Sequence, residues 1–166
     1  MISKKIASVI TSVMVFCCIV GVSLTNVKAD DSAPKSVDGS YLTSADSSTG
    51  YTPKNNERGK HLMDGQCSIS KTGTKRIYAY GSTTANHTVD ALAVIVYVDQ
   101  YNESDGKWHQ IDAFSKKVEN DYYSAISKSI QVDRGYYYRV HASHIVCMAG
   151  SPDEETFSVT NGILVP

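Results

Sequence analysis

Five histidines are the side chains of this sequence best suited to bind a metal ion or transfer a proton. His141 and His144 are three residues apart, which on a strand places their side chains on opposite faces of the sheet. His61, His87 and His109 fall in or near turns and strand ends. The chain contains neither His-Glu-x-x-His nor Cys-x-x-Cys. We therefore expect surface or structural histidines and no metal site.

Carboxylates and nucleophiles form no catalytic pattern either. A calcium-loop frame laid on residues 101–112 puts Tyr101 and Asp112 at its first and last positions, where Asp and Glu are required. Gly-x-Ser-x-Gly does not occur. Glu154 and Glu155 are neighbours that would point to opposite sides of a strand, whereas paired catalytic acids must converge. The sequence thus predicts a protein that is not an enzyme and needs no cofactor.

Tyrosine is the residue type that points to binding. The chain has 11 Tyr against 1 Trp and 3 Phe. Alternation along two predicted strands gives these binding candidates: Arg76, Tyr78, Tyr80, Tyr137, Arg139 and His141. A flat face of such residues suits stacking on sugar rings or on a protein partner, because Tyr offers rigid area with a polar tip. The alternative is that the tyrosines pair across strands and only stabilise the sheet.

Short strands separated by turns must position these residues. The Val-rich run at 91–98 alternates with a period of two, which is typical of a strand. Turn residues cluster at 102–106 and 133–135. Trp108 and Phe114 are assigned to the core. About seven strands over residues 58–166, without helical periodicity, predict an all-β fold, an antiparallel β-sandwich.

A segment of nine residues supports this fold. An apolar residue, Val132, lies three positions before Gly135, and Tyr138 lies three positions after it. With this pattern residues 132–140 resemble the E–F corner of fibronectin type III and immunoglobulin-like domains, which implies a sandwich of that kind. The resemblance implies that Gly135 and Tyr138 form a structural corner, with the Tyr138 hydroxyl bonded to the backbone upstream. It implies no particular function.

The first 29 residues have the three parts of a secretory signal peptide. Lys4 and Lys5 precede an apolar run that is densest over residues 13–22, and a small-residue cleavage site separates Ala29 from Asp30. An uncleaved anchor helix or a lipoprotein is the alternative. We expect a secreted, extracellular protein, free or associated with the cell wall.

The charge of the chain argues against two classes of partner. The formal net charge is −1, and loss of the signal peptide removes Lys4, Lys5 and Lys28 but no acidic residue, which leaves −4. Nucleic-acid binders usually carry a basic excess, as do proteins that bind anionic membranes. We therefore expect neither partner.

Two cysteines remain after cleavage. Cys67 and Cys147 form an even pair in a protein expected to be exported, which predicts a disulfide. The alternative is two buried free thiols. Cys147 also follows His144 closely, but its expected pairing argues against a thiol–base couple.

Residues 30–57 differ in composition from the rest. Ser and Asp dominate this stretch, and Val37 and Leu42 are its only aliphatic residues larger than Ala. Burial of this small apolar surface cannot offset the conformational entropy lost when the segment is ordered. We therefore expect a flexible leader.

Most of residues 40–166 resembles a poorly characterised family of small secreted proteins from Gram-positive, spore-forming bacteria. The resemblance is carried by the signal peptide, the Ser-rich leader, residues 75–79, the Val-rich strand and residues 135–140. It implies neither an activity nor catalytic residues. The expected function is non-catalytic binding of a cell-envelope glycan or an extracellular protein. A small secreted effector, such as a toxin or bacteriocin-like factor, is the alternative, and a hydrolase comes third.

Overall fold

The computed structural model describes residues 34–53 and 59–166, which form nine strands and no helix. The all-β prediction is confirmed. The predicted signal peptide, with its cleavage site at Ala29 and Asp30, lies outside the described residues. Within the described ranges, no helix is long and apolar enough to cross a membrane. The strands are β1 (Ser36–Val37), β2 (Ser40–Thr43), β3 (Ser47–Tyr51), β4 (Leu62–Gly73), β5 (Arg76–Asn102), β6 (Lys107–Gln131), β7 (Tyr136–Cys147), β8 (Glu154–Val159) and β9 (Gly162–Val165).

All nine strands of the described residues belong to one curled sheet. Its order is β1-β2-β9-β7-β5-β4-β3, with β6 paired to β5 and β8 paired to β7. Strands β2 and β9 are parallel, and Leu42 lies opposite Gly162. The sheet is therefore mixed, which corrects the prediction of a purely antiparallel one. A sandwich of the immunoglobulin or fibronectin type III kind, with about seven strands, is not confirmed.

Strand β5 is long enough to serve both halves of the sheet. Its first part pairs with β4 and with the end of β6, and its second part pairs with β7 and with the start of β6. The register of β5 against β6 shifts between Thr84 and Val89. Directly beside this shift on β6, Asn120 adopts a left-handed φ of 53°. This irregularity in the ladder separates the two halves of the β5–β6 hairpin.

The two parts of β5 face each other across the core. A Cβ added to Gly81 would lie 2.5 Å from Cγ2 of Val96, so the two parts are in direct contact. Residues from both parts are buried in one cluster, together with residues from β4, β7 and β9. The members are Cys67, Ile69, Ile77, Ala79, Val94, Val96, Val98, Ile130, Val132, Tyr138, Val140, Ala142, Ile163 and Val165. The outer faces of the two parts must therefore point in opposite directions.

The stretch expected to be a flexible leader contributes β1, β2 and β3 to the sheet. Strand β3 pairs with β4 over five residue pairs, and a Cβ on Gly50 would collide with the backbone of Val159. Ser40 is fully buried, and its hydroxyl donates to the carbonyl oxygen of Thr160 at 2.8 Å. Backbone pairing and buried polar contacts order the described part, 34–53, despite its low apolar content. The domain therefore begins well before residue 58.

The predicted disulfide is wrong, because Cys67 and Cys147 are free thiols far apart in the fold. The thiol of Cys67 lies 3.5 Å from the carbonyl oxygen of Val140. Cys147 is seven residues further along β7, or about 23 Å at the rise of a strand. A disulfide needs Cα atoms within about 7 Å. Cys67 is buried and Cys147 is half-buried, so the alternative of two buried thiols holds only for Cys67.

Candidate functional site

The six predicted binding residues do not form one platform. Arg76, Tyr78 and Tyr80 lie on the outer face of the first part of β5, whereas Tyr137, Arg139 and His141 lie on β7, beside its second part. Because the two parts face each other through the core, the two groups lie on the outer face of the curled sheet but on opposite sides of the molecule. Alternation along each strand was predicted correctly, but the curling of the sheet that separates the two groups was not.

The face that carries Tyr78 and Tyr80 is a serine-rich surface. Ser68 and Ser127 lie opposite Tyr80 on the neighbouring strands, and Ser70 and Ser129 lie opposite Tyr78. The hydroxyls of Tyr80 and Tyr123 are 2.8 Å apart, and this hydrogen bond raises the pKa of Tyr123. Cross-strand pairing of tyrosines, the alternative raised by the sequence, thus occurs at this face.

On the opposite side, Arg139 forms an ion pair with Asp99. The two residues lie opposite each other on β7 and β5, and both are buried. Nε of Arg139 donates to Oδ2 of Asp99 at 2.9 Å, and Nδ1 of His141 lies 3.2 Å from the same oxygen. The ring of His141 stacks on Tyr97, with centroids 4.7 Å apart and planes at 29°. Asp99 therefore joins Arg139 and His141 into one polar cluster.

The β1–β2 hairpin crosses this cluster and completes it. Asp38 and Gly39 form its turn with φ values of 50° and 75°, as expected of an Asp-Gly hairpin turn. Nη1 of Arg139 donates to the carbonyl oxygen of Asp38 at 3.0 Å and to Oγ of Ser40 at 3.2 Å. Nη2 of Arg139 donates to Oδ2 of Asp38 at 2.9 Å. The hairpin thus buries Arg139, which alternation alone had placed on an open face.

Trp108 covers the other side of the guanidinium. The Cζ atom of Arg139 lies 4.5 Å from the centroid of the indole ring, in cation–π geometry. The indole Nε1 donates to the carbonyl oxygen of Val37 at 3.0 Å. A Cβ on Gly162 would lie 2.5 Å from Cη2 of Trp108, so the ring is fixed from a third direction. Trp108, which we expected in the core, instead supports the cluster.

Two adjacent cavities meet at Asp38, Arg139 and His141, and together we name them the Arg139 cleft. The Trp108 cavity, of about 420 Å³, is lined in addition by Val37, Asp99, Gly106, Lys107, Trp108 and Gln110. The Phe157 cavity, of about 440 Å³, is lined in addition by Tyr51, Pro53, Phe157, Ser158 and Val159. Each volume lies in the range of small-ligand sites.

The Phe157 cavity is aromatic and open, whereas the middle of the cleft is charged. The side chains of Tyr51 and Phe157 are 60% and 59% exposed, so the Phe157 cavity has open aromatic walls. The Asp38 side chain is 77% exposed although Arg139 binds one of its oxygens. Burial lowers the pKa of His141; Asp99 opposes this shift and Arg139 adds to it. Burial therefore favours the neutral form of His141.

Tyr137 and the predicted corner lie outside the cleft. Tyr137 lines a separate cavity of about 390 Å³ together with Arg134 and Tyr136. The hydroxyl of Tyr138 donates to the carbonyl oxygen of Asp133 at 2.9 Å, the contact that the corner resemblance implied. Burial raises the pKa of Tyr138 to about 12. Gly135 supplies the left-handed turn before it, with φ of 84°.

The other histidines have structural contacts. His144 is fully buried, with Nδ1 3.0 Å from Oγ1 of Thr83 and Nε2 2.8 Å from Oγ of Ser158. Nδ1 of His61 lies 2.9 Å from Nε2 of His87. Over residues 34–53 and 59–166, no three His, Cys, Asp or Glu side chains are grouped so as to hold a metal ion.

Sequence reasoning missed the residues that the N-terminal segment brings to the cleft. Asp38 and Tyr51 lie in the stretch expected to be flexible, and Phe157 lies on β8. The Asp38-Gly39 dipeptide is a hairpin signal that could have identified β1 and β2. No comparable signal places Tyr51 beside Phe157, because β3 and β8 are remote in sequence.

Comparison with known proteins places the whole cleft inside the range matched by one family model. No curated protein matches the sequence. The profile of one family matches residues 30–162, a range that contains every residue lining the cleft. The expectation of an uncharacterised family is thereby confirmed. The chain belongs to the family of unknown function DUF6147.

Proposed function

We propose that this protein is an exported, non-catalytic module that binds a glycan of the Gram-positive cell envelope in the Arg139 cleft. The observation that carries the proposal is the meeting of two cavities at Asp38, Arg139 and His141, with exposed aromatic rings on one side. Export rests on the signal-peptide pattern of residues 1–29.

The aromatic walls supply the apolar part of glycan recognition. Tyr51 and Phe157 are among the most exposed large hydrophobic residues of the described chain. Sugar rings have apolar faces that stack on aromatic side chains, and the Tyr hydroxyl adds a polar contact at the rim. Exposed rings beside a cavity are a recurrent sign of a binding surface.

The polar residues at the centre of the cleft supply the directional hydrogen bonds of glycan recognition. Oxygen atoms of Asp38 and a ring nitrogen of His141 are available to hydrogen-bond sugar hydroxyls. Arg139 binds Asp38 directly, and its buried ion pair with Asp99 lies beneath the two acceptors and holds them in place. A site held in its binding geometry loses little conformational freedom when a ligand binds, which favours affinity.

The same contacts favour binding over hydrolysis. Glycoside hydrolysis requires one carboxylic acid that donates a proton to the leaving oxygen. Oδ2 of Asp38 and Oδ2 of Asp99 both accept hydrogen bonds from the Arg139 guanidinium, and Asp99 is buried. Both carboxylates are thus engaged by an internal partner, and Asp99 is not open to the leaving oxygen of a sugar.

Cosedimentation with isolated Gram-positive cell walls tests the proposal. We expect the wild-type protein to bind saturably and Phe157→Ala to bind at least about tenfold more weakly, as for a central aromatic contact. Tyr78→Ala is the matched control, because it removes an exposed tyrosine from the opposite side of the molecule. Each variant is first checked for a wild-type melting temperature.

Three results would contradict the proposal. Loss of binding in Tyr78→Ala with full binding by Phe157→Ala would move the site to the serine-rich face. Binding abolished by protease treatment of the walls would indicate a protein partner. No binding to walls, combined with growth inhibition of neighbouring cells, would favour an effector.

A further inference from the structure

We infer that the Arg139 cleft selects neutral glycans and discriminates against acidic ones, although an arginine lies at its centre. This inference rests on the proposed function and concerns the specificity of the same site. It follows from how the donors and acceptors of three residues, Arg139, His141 and Asp38, are already used inside the protein.

The guanidinium of Arg139 has little capacity left for an anionic ligand. Four of its five N–H groups donate to protein oxygens: Nε to Asp99, Nη1 to Asp38 and Ser40, and Nη2 to Asp38. The indole of Trp108 lies over the guanidinium plane. A bidentate contact to a carboxylate or phosphate would have to displace one of these internal partners.

The charge around the guanidinium is also unfavourable for an anion. Two carboxylates, Asp38 and Asp99, bind the single cation Arg139, so the three side chains together carry a net negative charge. Asp99 is buried, where its charge is screened less than that of a surface group. Where the two cavities meet, an acidic ligand would therefore meet repulsion; the other cation of the cleft lining, Lys107, belongs to the Trp108 cavity.

His141 presents an acceptor to the ligand. Its Nδ1 lies 3.2 Å from the Asp99 carboxylate, so the ring proton belongs on Nδ1 and Nε2 is left with a lone pair. Stacking on Tyr97 fixes the orientation of the ring. Neutral His141 can thus accept a hydrogen bond from a ligand at Nε2.

Asp38 presents a second acceptor in the same place. Its Oδ2 is bound by Arg139, whereas its side chain as a whole is 77% exposed. Hydroxyl groups and acetamido N–H groups are donors that match these acceptors. Carboxylate, phosphate and sulfate groups are not, so the cleft fits an uncharged sugar chain.

Affinity measurements with two soluble probes test the specificity. The probes are a tetramer of N-acetylglucosamine, which is neutral, and a tetramer of galacturonic acid, which is acidic. We expect the neutral tetramer to bind at least about tenfold more tightly in low salt, since close like charges repel strongly in a partly buried site. Asp38→Asn should bring the two affinities closer, mainly by improving binding of the acidic tetramer. Lys107→Gln is measured in parallel, because Lys107 also lines the Trp108 cavity.

Walls provide the same test without depending on the choice of sugar. Binding to walls is compared before and after acid extraction of their phosphate-linked polymers, and we expect it to be retained. Loss of binding after extraction, or acidic-tetramer binding that is stronger than neutral and sensitive to Phe157→Ala, would overturn the inference but leave glycan binding intact. No binding to either kind of wall would instead refute the proposed function itself.

Discussion

Nη2 of Arg139 donates to Oδ2 of Asp38 at 2.9 Å and thereby joins two residues that are 101 positions apart in the chain. The contact fastens the β1–β2 hairpin to the middle of the sheet, where the same guanidinium also pairs with buried Asp99. One side chain thus completes the fold of the N-terminal segment and forms the floor of the cleft. The two ion pairs of Arg139 should make very different contributions to the free energy of unfolding.

Arg139→Ala should destabilise the protein by about 3–5 kcal/mol, because it leaves the Asp99 carboxylate buried without its cation. Asp38→Ala should cost less than about 1 kcal/mol, because the Asp38 side chain is largely solvated. Urea unfolding measures both values. Limited proteolysis should also show faster cleavage within residues 34–43 of Arg139→Ala. Equal losses in the two variants would show that Asp99 does not depend on Arg139.

Stability should decrease on acidification between pH 6.5 and about 4 because of His144. Burial lowers its pKa from 6.5 to about 4 in the folded protein. Between these values the unfolded chain binds a proton that the folded protein excludes, so acid favours unfolding by up to about 3 kcal/mol. Above pH 6.5 this contribution to stability is fully present, and urea unfolding at a series of pH values measures its loss.

His144→Gln is the control for this dependence, since Gln hydrogen-bonds but does not titrate. The comparison is made between pH 6.5 and 5, above the range in which Glu154, with its lowered pKa, becomes protonated. His141 also has a lowered pKa and acts in the same direction. The difference between wild type and His144→Gln therefore isolates the buried histidine. Identical slopes for the two proteins would contradict the assignment.

Local patterns in the sequence predicted the parts of the fold that depend on local chemistry. The alternation of Val94, Val96 and Val98 correctly gave the buried face of β5, since side chains of a strand point to alternate sides. The segment around Gly135 and Tyr138 correctly gave a turn followed by a backbone hydrogen bond. These features require only residues close together in the chain.

The cleft could not be predicted because its residues meet through long-range pairing. Apolar content is a poor guide to residues 34–53, where Ser40 is ordered by a hydrogen bond to Thr160 and β3 by backbone pairing with β4. The register shift between Thr84 and Val89, which separates the predicted platform into two faces, has no Gly or Pro to mark it. Arg139 was correctly placed on one face of β7, but the hairpin that buries it was treated as a linker.

Gly65→Ala should destabilise the fold by about 1–3 kcal/mol, because an added methyl group has no room. Its Cβ would lie 2.2 Å from Cδ2 of His144, whose ring is held on both sides by hydrogen bonds. Gly73→Ala is the matched control on the same strand, since its nearest neighbour would be 3.7 Å away. Thermal unfolding should show a lower melting temperature for Gly65→Ala only. A wild-type value for Gly65→Ala would mean that β4 and β7 separate easily at this point.

The two cysteines of the sheet should react very differently with a thiol reagent. Burial raises the pKa of Cys67 to about 11 and hides its sulfur completely, so it should stay unmodified in the folded protein. Cys147 is half-buried at the end of β7 and should be alkylated under native conditions, slowly because its pKa is also raised, chiefly by burial. Peptide mapping after iodoacetamide treatment identifies each alkylated cysteine.

Unfolding in 6 M urea is the denaturing control, in which both cysteines should react without any reductant. A requirement for reductant, together with loss of mass equal to two hydrogens in the untreated protein, would show that the thiols are bridged and that β4 and β7 are arranged differently.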